Sequence, residues 1–208
     1  MTAKLVETKL KNPLNQITSI CLYCASSDKI PDKYFHVARQ LGKLMGWHGL
    51  TLVNGAGCMG LMQAASDACH EAGGRTIGVI PSFMIKEGWC HDEMDEIIET
   101  ADMHTRQEKM AELSDAAIVL PGGFGTLAEF SELVTWKQLG LYLKPIVLLN
   151  TDGYYDKLVE FLNVGMYENF LRQKHMETFV IANTPEEAID LALSTPMWDK
   201  TMRRFAKI

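Results

Sequence analysis

The sequence has no surplus of positive charge. Its 208 residues include 20 Lys and Arg against 26 Asp and Glu, which gives a formal net charge of −6. A protein that binds duplex nucleic acid usually carries a basic surplus, because its cations must displace the counterions of the phosphates. The composition therefore argues against a nucleic-acid partner.

Long apolar runs and a signal sequence are missing as well. No apolar stretch approaches the roughly 20 residues that span a bilayer, so we expect no membrane partner. Residues 1–16, MTAKLVETKLKNPLNQ, are interrupted by charges and lack the continuous apolar core of a signal peptide. These absences predict a cytoplasmic location.

Cysteines and histidines occur without the spacing of a disulfide framework or a metal site. The five cysteines are an odd number in a chain too large to need disulfides, so we expect reduced thiols. Cys21-x-x-Cys24 lacks the second pair of a zinc site. The six histidines show no H-x-x-x-H or H-E-x-x-H spacing. We therefore predict no metal and no cofactor, and we interpret the ligand-type side chains of residues 90–93 as a solvated loop.

What the chain does have is a regular alternation of apolar strand segments and helical segments. The predicted strands cover 17–24, 50–54, 75–81, 96–100, 115–121, 144–150 and 177–183. The predicted helices cover 31–49, 58–74, 104–114, 126–140, 154–170 and 184–194. Strands joined by helical crossovers form parallel sheets covered on both faces. The pattern predicts a doubly wound α/β fold, Rossmann-like, with a mainly parallel sheet of about seven strands. We expect one nucleotide-binding domain over 1–208, with tails at 1–15 and 195–208.

A first glycine loop follows the second predicted strand. Gly55, Gly57 and Gly60 match G-x-G-x-x-G between a strand and a helix, where glycine lets the backbone approach a phosphate. The motif does not follow the first strand, and the next strand ends in Val79-Ile80-Pro81-Ser82 without an acidic residue for a ribose. Both features disfavour an NAD-dependent oxidoreductase. Helix packing without a ligand is the alternative role for these glycines.

A second glycine loop, Pro121-Gly122-Gly123-Phe124-Gly125-Thr126, follows the most apolar strand and opens a helix. Glycine-rich backbone at a helix N-terminus exposes N–H groups that bind anions. The Thr126 hydroxyl can cap the helix and also reach a phosphate oxygen. Because the loop lacks G-K-[ST], it is not a P-loop, and ATP-driven phosphoryl transfer is disfavoured.

Two charged residues near this loop each have two interpretations. Glu129 follows Thr126 by three residues, so the pair fits a capping box, but Glu129 could also be a carboxylate beside a ligand. Glu132, one turn further along, could substitute for it. Arg106 lies near the start of a predicted helix, where its charge opposes the helix dipole. It is either an exposed surface arginine or a functional one.

Two motifs together resemble a known family. PGGFGTLAE (121–129) resembles the PGGxGTxxE signature of the LONELY GUY (LOG) family, and MHTRQ (103–107) resembles its M-x-x-R-K element. The similarity extends to 21–28, 53–62, 72–81 and 135–158. It implies a Rossmann-like homodimer that hydrolyses the N-glycosidic bond of nucleoside 5′-monophosphates. AMP, or a cytokinin riboside monophosphate, would give the free base and ribose 5-phosphate.

The resemblance also implies roles for individual residues. The catalytic arginine and glutamate of the family correspond to Arg106 and Glu129. An upstream substrate-binding glutamate corresponds to Glu87, although this match needs a gap in the loop 82–95. The phosphate loop corresponds to Gly122, Gly123, Phe124, Gly125 and Thr126. The other implied substrate-binding positions are Ser27, Gly55, Gly57, Met103, Gln107 and Thr135.

Three departures from the family pattern bear on specificity. Gln107 stands where the family usually has lysine, Asn54 where it often has tyrosine, and Ala56 where it often has glycine. Relatives are often labelled lysine decarboxylases, but that chemistry needs a Schiff-base lysine, and neither glycine loop contains one. A non-catalytic nucleotide carrier or sensor, using the same loops, is the alternative to the hydrolase.

A homodimer or larger assembly is also predicted from the fifth helical segment and its extension. They carry more apolar surface than one face of a sheet should cover, and exposed patches of that kind mark interfaces. These side chains are Phe130, Leu133, Val134, Trp136, Leu139, Leu141 and Tyr142.

Overall fold

A computed structural model of the protein describes residues 17–201. Strands and helices alternate throughout this part of the chain. The strands are β1 (Ser19–Tyr23), β2 (Thr51–Asn54), β3 (Thr76–Pro81), β4 (Glu96–Thr100), β5 (Ala116–Val119), β6 (Ile146–Leu149) and β7 (Val180–Ala182). The α-helices are α1 (Asp32–Trp47), α2 (Gly60–Glu71), α3 (Ser82–Lys86), α4 (Met103–Leu113), α5 (Phe124–Gln138), α6 (Asp156–Tyr167) and α7 (Pro185–Ser194).

The strands form one sheet in the order β4-β3-β2-β1-β5-β6-β7. All six pairings between neighbouring strands are parallel. The predicted fold class, a doubly wound Rossmann-like sheet of about seven strands, is confirmed.

Alternate residues of β1 contribute to two separate cores. Ile20 and Leu22 pack against α1, α2 and α7 on one face of the sheet. Cys21 and Tyr23 pack against α4, α5 and α6 on the other face. Side chains alternate between the faces of a strand, so a central strand covered by helices on both sides is apolar throughout. This explains the uninterrupted apolar run of the first predicted strand.

The chain reverses its direction of winding between β1 and β5. From β1 it proceeds outward through β2, β3 and β4, and then returns to place β5 on the opposite side of β1. Crossover helices leave these two strands toward opposite faces, which opens a crevice beyond their carboxyl ends. This position contains the candidate site.

Some predicted boundaries differ from the structure. The predicted loop 82–95 contains the short helix α3, and β7 is only three residues long, preceded by a 3₁₀ helix over Gln173–Thr178. The predicted C-terminal tail begins as packed chain, because the backbone N–H of Trp198 donates to the carbonyl of Leu143 at 2.7 Å. The predicted tail 1–15 and residues 202–208 lie outside the described residues.

The apolar residues that suggested a dimer are distributed differently from the expectation. Phe130, Leu133 and Tyr142 are buried in the core of the chain itself, and only Leu139 and Leu141 of that group are largely exposed. A more continuous apolar surface lies on the outer face of α6 and just after it, formed by Phe161, Val164, Tyr167 and Phe170. Within residues 17–201, none of the helices combines the length and apolar character needed to cross a membrane.

Candidate functional site

A cavity of about 370 Å³ opens at the carboxyl ends of β1 and β5. The segment after β1, the turn after β2, α4 and the start of α5 form its walls. Nine residues that the sequence singled out line it together: Gly55, Met103, Arg106, Gln107, Gly123, Phe124, Gly125, Thr126 and Glu129. A volume of this size is in the range of small-molecule sites.

The floor of the cavity is the N-terminus of α5. The helix begins at Phe124, with Gly123 as its N-cap and no side-chain cap. A methyl group added at Gly123 or Gly125 would meet nothing within 4 Å, so the backbone here faces open space. The first N–H groups of a helix have no intrahelical partner, and together with the helix dipole they attract anions. The loop therefore presents unused donors to the cavity.

The opposite side of this loop is fixed by hydrogen bonds to its carbonyl groups. The Tyr155 hydroxyl donates to the carbonyl of Leu120 at 2.6 Å, and the Tyr154 hydroxyl donates to that of Gly122 at 2.8 Å. The backbone N–H of Ala25 donates to the carbonyl of Pro121 at 3.2 Å. These bonds occupy the carbonyl oxygens of three successive residues, Leu120 to Gly122.

The capping-box interpretation of Thr126 and Glu129 is wrong. The N-cap is Gly123, three residues before Thr126, because glycine readily takes the extended conformation that precedes a helix. The carboxylate of Glu129 instead contacts the guanidinium of Arg106, with Oε1 at 3.1 Å from Nη1. Glu129 is therefore directed into the site rather than back toward its own helix terminus.

Arg106 is not a surface arginine. Only 5% of the residue is exposed, and its Nε–H donates to the Val79 carbonyl at 3.0 Å. The start of α4 is set by Asp102, whose side chain accepts from the backbone N–H of Thr105 at 2.8 Å. This cap places Arg106 in the first turn of α4. From there its guanidinium contacts both Val79 of β3 and Glu129 of α5.

Burial changes the acidity of the Glu129 carboxyl. Loss of solvation raises its pKa to about 7, although the Arg106 guanidinium acts in the opposite direction. Burial also raises the pKa of Glu132, one turn further along α5. A carboxyl whose pKa lies near neutrality can hold or release a proton under physiological conditions, which is a common property of catalytic acids and bases.

Most glycines of the first loop have packing partners within the protein. A methyl group at Gly57 would lie 2.6 Å from the Met62 side chain, and one at Gly60, whose φ is +68°, would lie 2.6 Å from the backbone of Ser26. Gly55 lines the cavity, but a methyl group there would lie 1.6 Å from Nη2 of Arg106. Packing thus accounts for these glycines without a dinucleotide.

Five residues that the resemblance implied do not line the cavity. Glu87 is exposed at the end of α3, Ser27 accepts from the backbone N–H of Lys29, and Thr135 donates to the Ser131 carbonyl. Gly122 belongs to the loop but is packed against Thr126, with which an added methyl group would collide. Gly57 is separated from the cavity by Met62.

Other lining residues were not found from the sequence. They come from the end of β1, the segment after it and three methionines: Tyr23, Cys24, Ser26, Met62, Met84 and Met110. The sequence could have indicated Tyr23, Cys24 and Ser26, because the carboxyl ends of the strands at a winding reversal line the ligand crevice.

The described part of the site contains neither a metal-binding cluster nor a lysine. No cluster of three or more His, Cys, Asp or Glu side chains suited to a metal ion occurs within residues 17–201. The predicted absence of a metal stays a prediction. The described cavity wall contains no lysine. Lys137 is buried, but its ammonium donates to the carbonyl of Lys144 at 2.8 Å, away from the cavity.

Fold and site together define a class: a Rossmann-like protein with a helix N-terminus open to the cavity and a buried arginine–glutamate pair at the winding reversal. Comparison with known proteins identifies the family. The chain belongs to the LOG family of phosphoribohydrolases, and residues 62–192 match the family model described as "Possible lysine decarboxylase".

Two curated relatives and one solved structure illustrate the similarity. A probable cytokinin riboside 5′-monophosphate phosphoribohydrolase of Oryza sativa subsp. japonica is 39% identical over 186 residues, covering 89% of this chain and 76% of the relative. One of Arabidopsis thaliana is 41% identical over 177 residues, covering 85% and 88%. The structure of the molybdenum cofactor binding protein from Rippkaea orientalis matches with a TM-score of 0.64 at 27% identity, covering 85% of this chain and 95% of that one.

Proposed function

We propose that this protein hydrolyses the N-glycosidic bond of nucleoside 5′-monophosphates, releasing the free base and ribose 5-phosphate. The observation that carries the proposal is the buried pair of Arg106 and Glu129 beside the open N-terminus of α5, in one cavity. The names of the curated relatives describe the same reaction for those proteins.

In this proposal the start of α5 binds the 5′-phosphate. Gly123, Phe124 and Gly125 line the cavity where the first N–H groups of α5 have no intrahelical partner, and the Thr126 hydroxyl adds a further donor at the cavity wall. Anchoring the phosphate fixes the ribose relative to Glu129, which lies one turn along the same helix.

Glu129 and Arg106 then act at the bond that breaks. Cleavage of the bond between C1′ and the base builds positive charge on the ribose, and a nearby carboxylate stabilises that charge or accepts a proton from the attacking water. The water oxygen joins C1′, and the base leaves with the bonding electron pair and takes up a proton. Arg106 stays charged and cannot be a general acid, so it orients the nucleotide and balances charge on the phosphate or the leaving base.

The wall beside α4 contacts the base in this arrangement. Met103 offers an apolar surface, and Gln107 offers an amide that can donate and accept hydrogen bonds. The substrate class is AMP or an N6-modified AMP such as a cytokinin riboside monophosphate.

A panel of nucleoside monophosphates tests the proposed function. Purified protein is incubated with AMP, N6-substituted AMP, GMP, IMP and CMP, and the free base and ribose 5-phosphate are quantified by chromatography. We expect equimolar release of both products from at least one adenine nucleotide. The alternative is a nucleotide-binding carrier, because two solved neighbours, one named a molybdenum cofactor binding protein and one a Moco carrier protein, share the fold. Tight nucleotide binding without any base release would favour that alternative.

The pKa of Glu129 predicts the pH dependence of the reaction. The working form proposed here is the ionised carboxylate, which becomes protonated as the pH falls through about 7. The kcat/KM for AMP, which reports the free enzyme, should therefore level off above pH 8 and fall about tenfold per unit well below pH 7.

Binding of AMP measured over the same pH range is the control, because the substrate phosphate has its own ionisation about one unit lower. A rate that increases steadily toward pH 5 would contradict the proposal, since the protonated acid would then be the working form.

We also propose that the protein is a cytoplasmic homodimer. Five unpaired cysteines are compatible with a reducing compartment. The exposed apolar face of α6, with Phe161, Val164 and Tyr167, is a surface that a second copy could cover. Sedimentation at micromolar concentration should show a species near twice 23.3 kDa. Replacing Tyr167 with lysine should shift it toward the monomer, and a wild type that sediments only as the monomer would refute the dimer.

A further inference from the structure

Arg106 lies directly above the bare Cα of Gly55. A methyl group at Gly55 would be 1.6 Å from Nη2 of the guanidinium. The same guanidinium reaches the Val79 carbonyl through Nε at 3.0 Å and the Glu129 carboxylate through Nη1 at 3.1 Å. The backbone position of Gly55 therefore decides whether Arg106 can reach both acceptors at once.

The turn that contains Gly55 has an unusual conformation at its next residue. Ala56 has a φ of +52°, a left-handed conformation that L-residues other than glycine rarely adopt. Ala56 is buried against Gly78 of β3, where an added methyl group would be 2.5 Å from the Ala56 Cβ. Its carbonyl accepts from the backbone N–H of His91 at 2.9 Å. The turn is thus enclosed and under conformational constraint.

Asn54 holds this turn from the inside of the fold. The residue is fully buried at the end of β2, and its Oδ1 accepts from the backbone N–H of Ala56 at 2.9 Å. Its Nδ2 donates to the Ser66 hydroxyl at 2.9 Å and to the Met62 carbonyl at 3.3 Å, both on α2. An asparagine that bonds the backbone two residues ahead stabilises a turn and supports left-handed geometry there.

We propose that Asn54 is a positioning residue for the hydrolysis, because it holds the Gly55–Ala56 turn in the shape that admits the Arg106 guanidinium between Val79 and Glu129. Asn54 itself does not line the cavity wall described above. Without its bond, Ala56 can relax toward negative φ, the peptide after Gly55 rotates, and Arg106 loses the space it occupies. The expected loss of activity rests on the proposed function. The effect on the contact between Arg106 and Glu129 does not, because that contact is present without substrate.

The first test is Asn54→Ala. We expect kcat for AMP to fall about 10- to 100-fold, because displacements of 1 Å or less in a catalytic group have effects of this size. Carbon-13 NMR of glutamate side chains should show a further rise in the pKa of Glu129, because Arg106 is the group that lowers it. The pKa of Glu132 should stay the same. A role limited to stability would reduce the melting temperature and leave both readouts unchanged.

The second test is rescue by glycine. Glycine adopts positive φ without strain, so Ala56→Gly should keep kcat within a few-fold of wild type and make Asn54 dispensable. The double variant Asn54→Ala with Ala56→Gly should recover to within about fivefold of Ala56→Gly alone. If Asn54→Ala does not fold, the comparison of Ala56→Gly with the double variant still tests the proposal. A double variant as impaired as Asn54→Ala would overturn the proposal.

Two matched controls separate the turn from its surroundings. Ser66→Ala removes one of the two bonds of Asn54 to α2 and keeps those to Met62 and Ala56, so kcat and the pKa of Glu129 should change little. Gly55→Ala introduces the colliding methyl group directly and should reproduce both effects of Asn54→Ala. If the wild type releases no base, the proposed function fails, while the NMR titration of these variants still tests the role of Asn54.

Discussion

Replacing Glu129 with glutamine should abolish nearly all base release and leave the protein folded. The amide cannot stabilise a developing oxocarbenium ion or accept a proton from water, and losing such a group lowers the rate about 10²- to 10⁴-fold. The amide oxygen can still accept from Arg106, which lies 3.1 Å from Oε1. Burial disfavours the charge of this carboxylate, as its raised pKa shows, so a neutral replacement should melt close to the wild-type temperature.

The measurements for this variant are AMP turnover, nucleotide affinity and thermal melting. Glu132→Gln is the matched control on the next turn of α5, where the side chain is only half-buried, and we expect it to lose less than tenfold. Retained wild-type turnover in Glu129→Gln would remove Glu129 from the mechanism. The assignment would then move to Glu132 rather than to Glu87, because Glu87 is exposed outside the cavity.

Removing the 5′-phosphate from the substrate should have a comparably large effect. The open N–H groups at the start of α5 have no other evident ligand, and each charge-assisted hydrogen bond contributes roughly 1.5–3 kcal/mol. Loss of two such bonds amounts to about 3–6 kcal/mol, or a factor of roughly 10²–10⁴. The kcat/KM for adenosine should therefore be lower than that for AMP by this factor.

Inorganic phosphate and ribose 5-phosphate provide the controls for this comparison. Both should inhibit AMP cleavage competitively. Inorganic phosphate should not compete with adenosine, which leaves the phosphate site free, whereas ribose 5-phosphate should, because it also fills the ribose position. Equal kcat/KM for AMP and adenosine would show that the loop after β5 is only a structural turn.

The fold was predictable because its signals are local. Strands buried on both faces appear as short apolar runs, and glycines and polar residues separate them from helices. The start of α5 was misplaced by two residues because Thr126 is a preferred cap, while Gly123 takes that position in the structure. Local preference indicated the helix correctly but not its first residue.

The site was only partly predictable because its contacts join distant segments. Arg106 and Glu129 are 23 positions apart, and no spacing rule shows that both are buried and in contact. The family motifs identified them, but the same resemblance also suggested Ser27 and Glu87, which do not line the cavity. Ser26 lines the cavity and Ser27, one residue later, does not. Which of the two serines faces the cavity depends on the path of the chain after β1.

The hydrogen bonds that Tyr154 and Tyr155 donate to the loop after β5 have a consequence for selectivity. They occupy the carbonyl oxygens of Leu120 and Gly122, so these acceptors are already paired beside the N–H groups that open α5. Peptide N–H groups do not change protonation between pH 5 and 9, unlike the histidine or lysine of many anion sites. The donors of this loop therefore keep their protons across this range, whereas acidification through about pH 7 protonates Glu129 and should slow turnover. In the proposed mechanism, the groups of the protein that hold the phosphate do not titrate near neutral pH, and the catalytic carboxylate does.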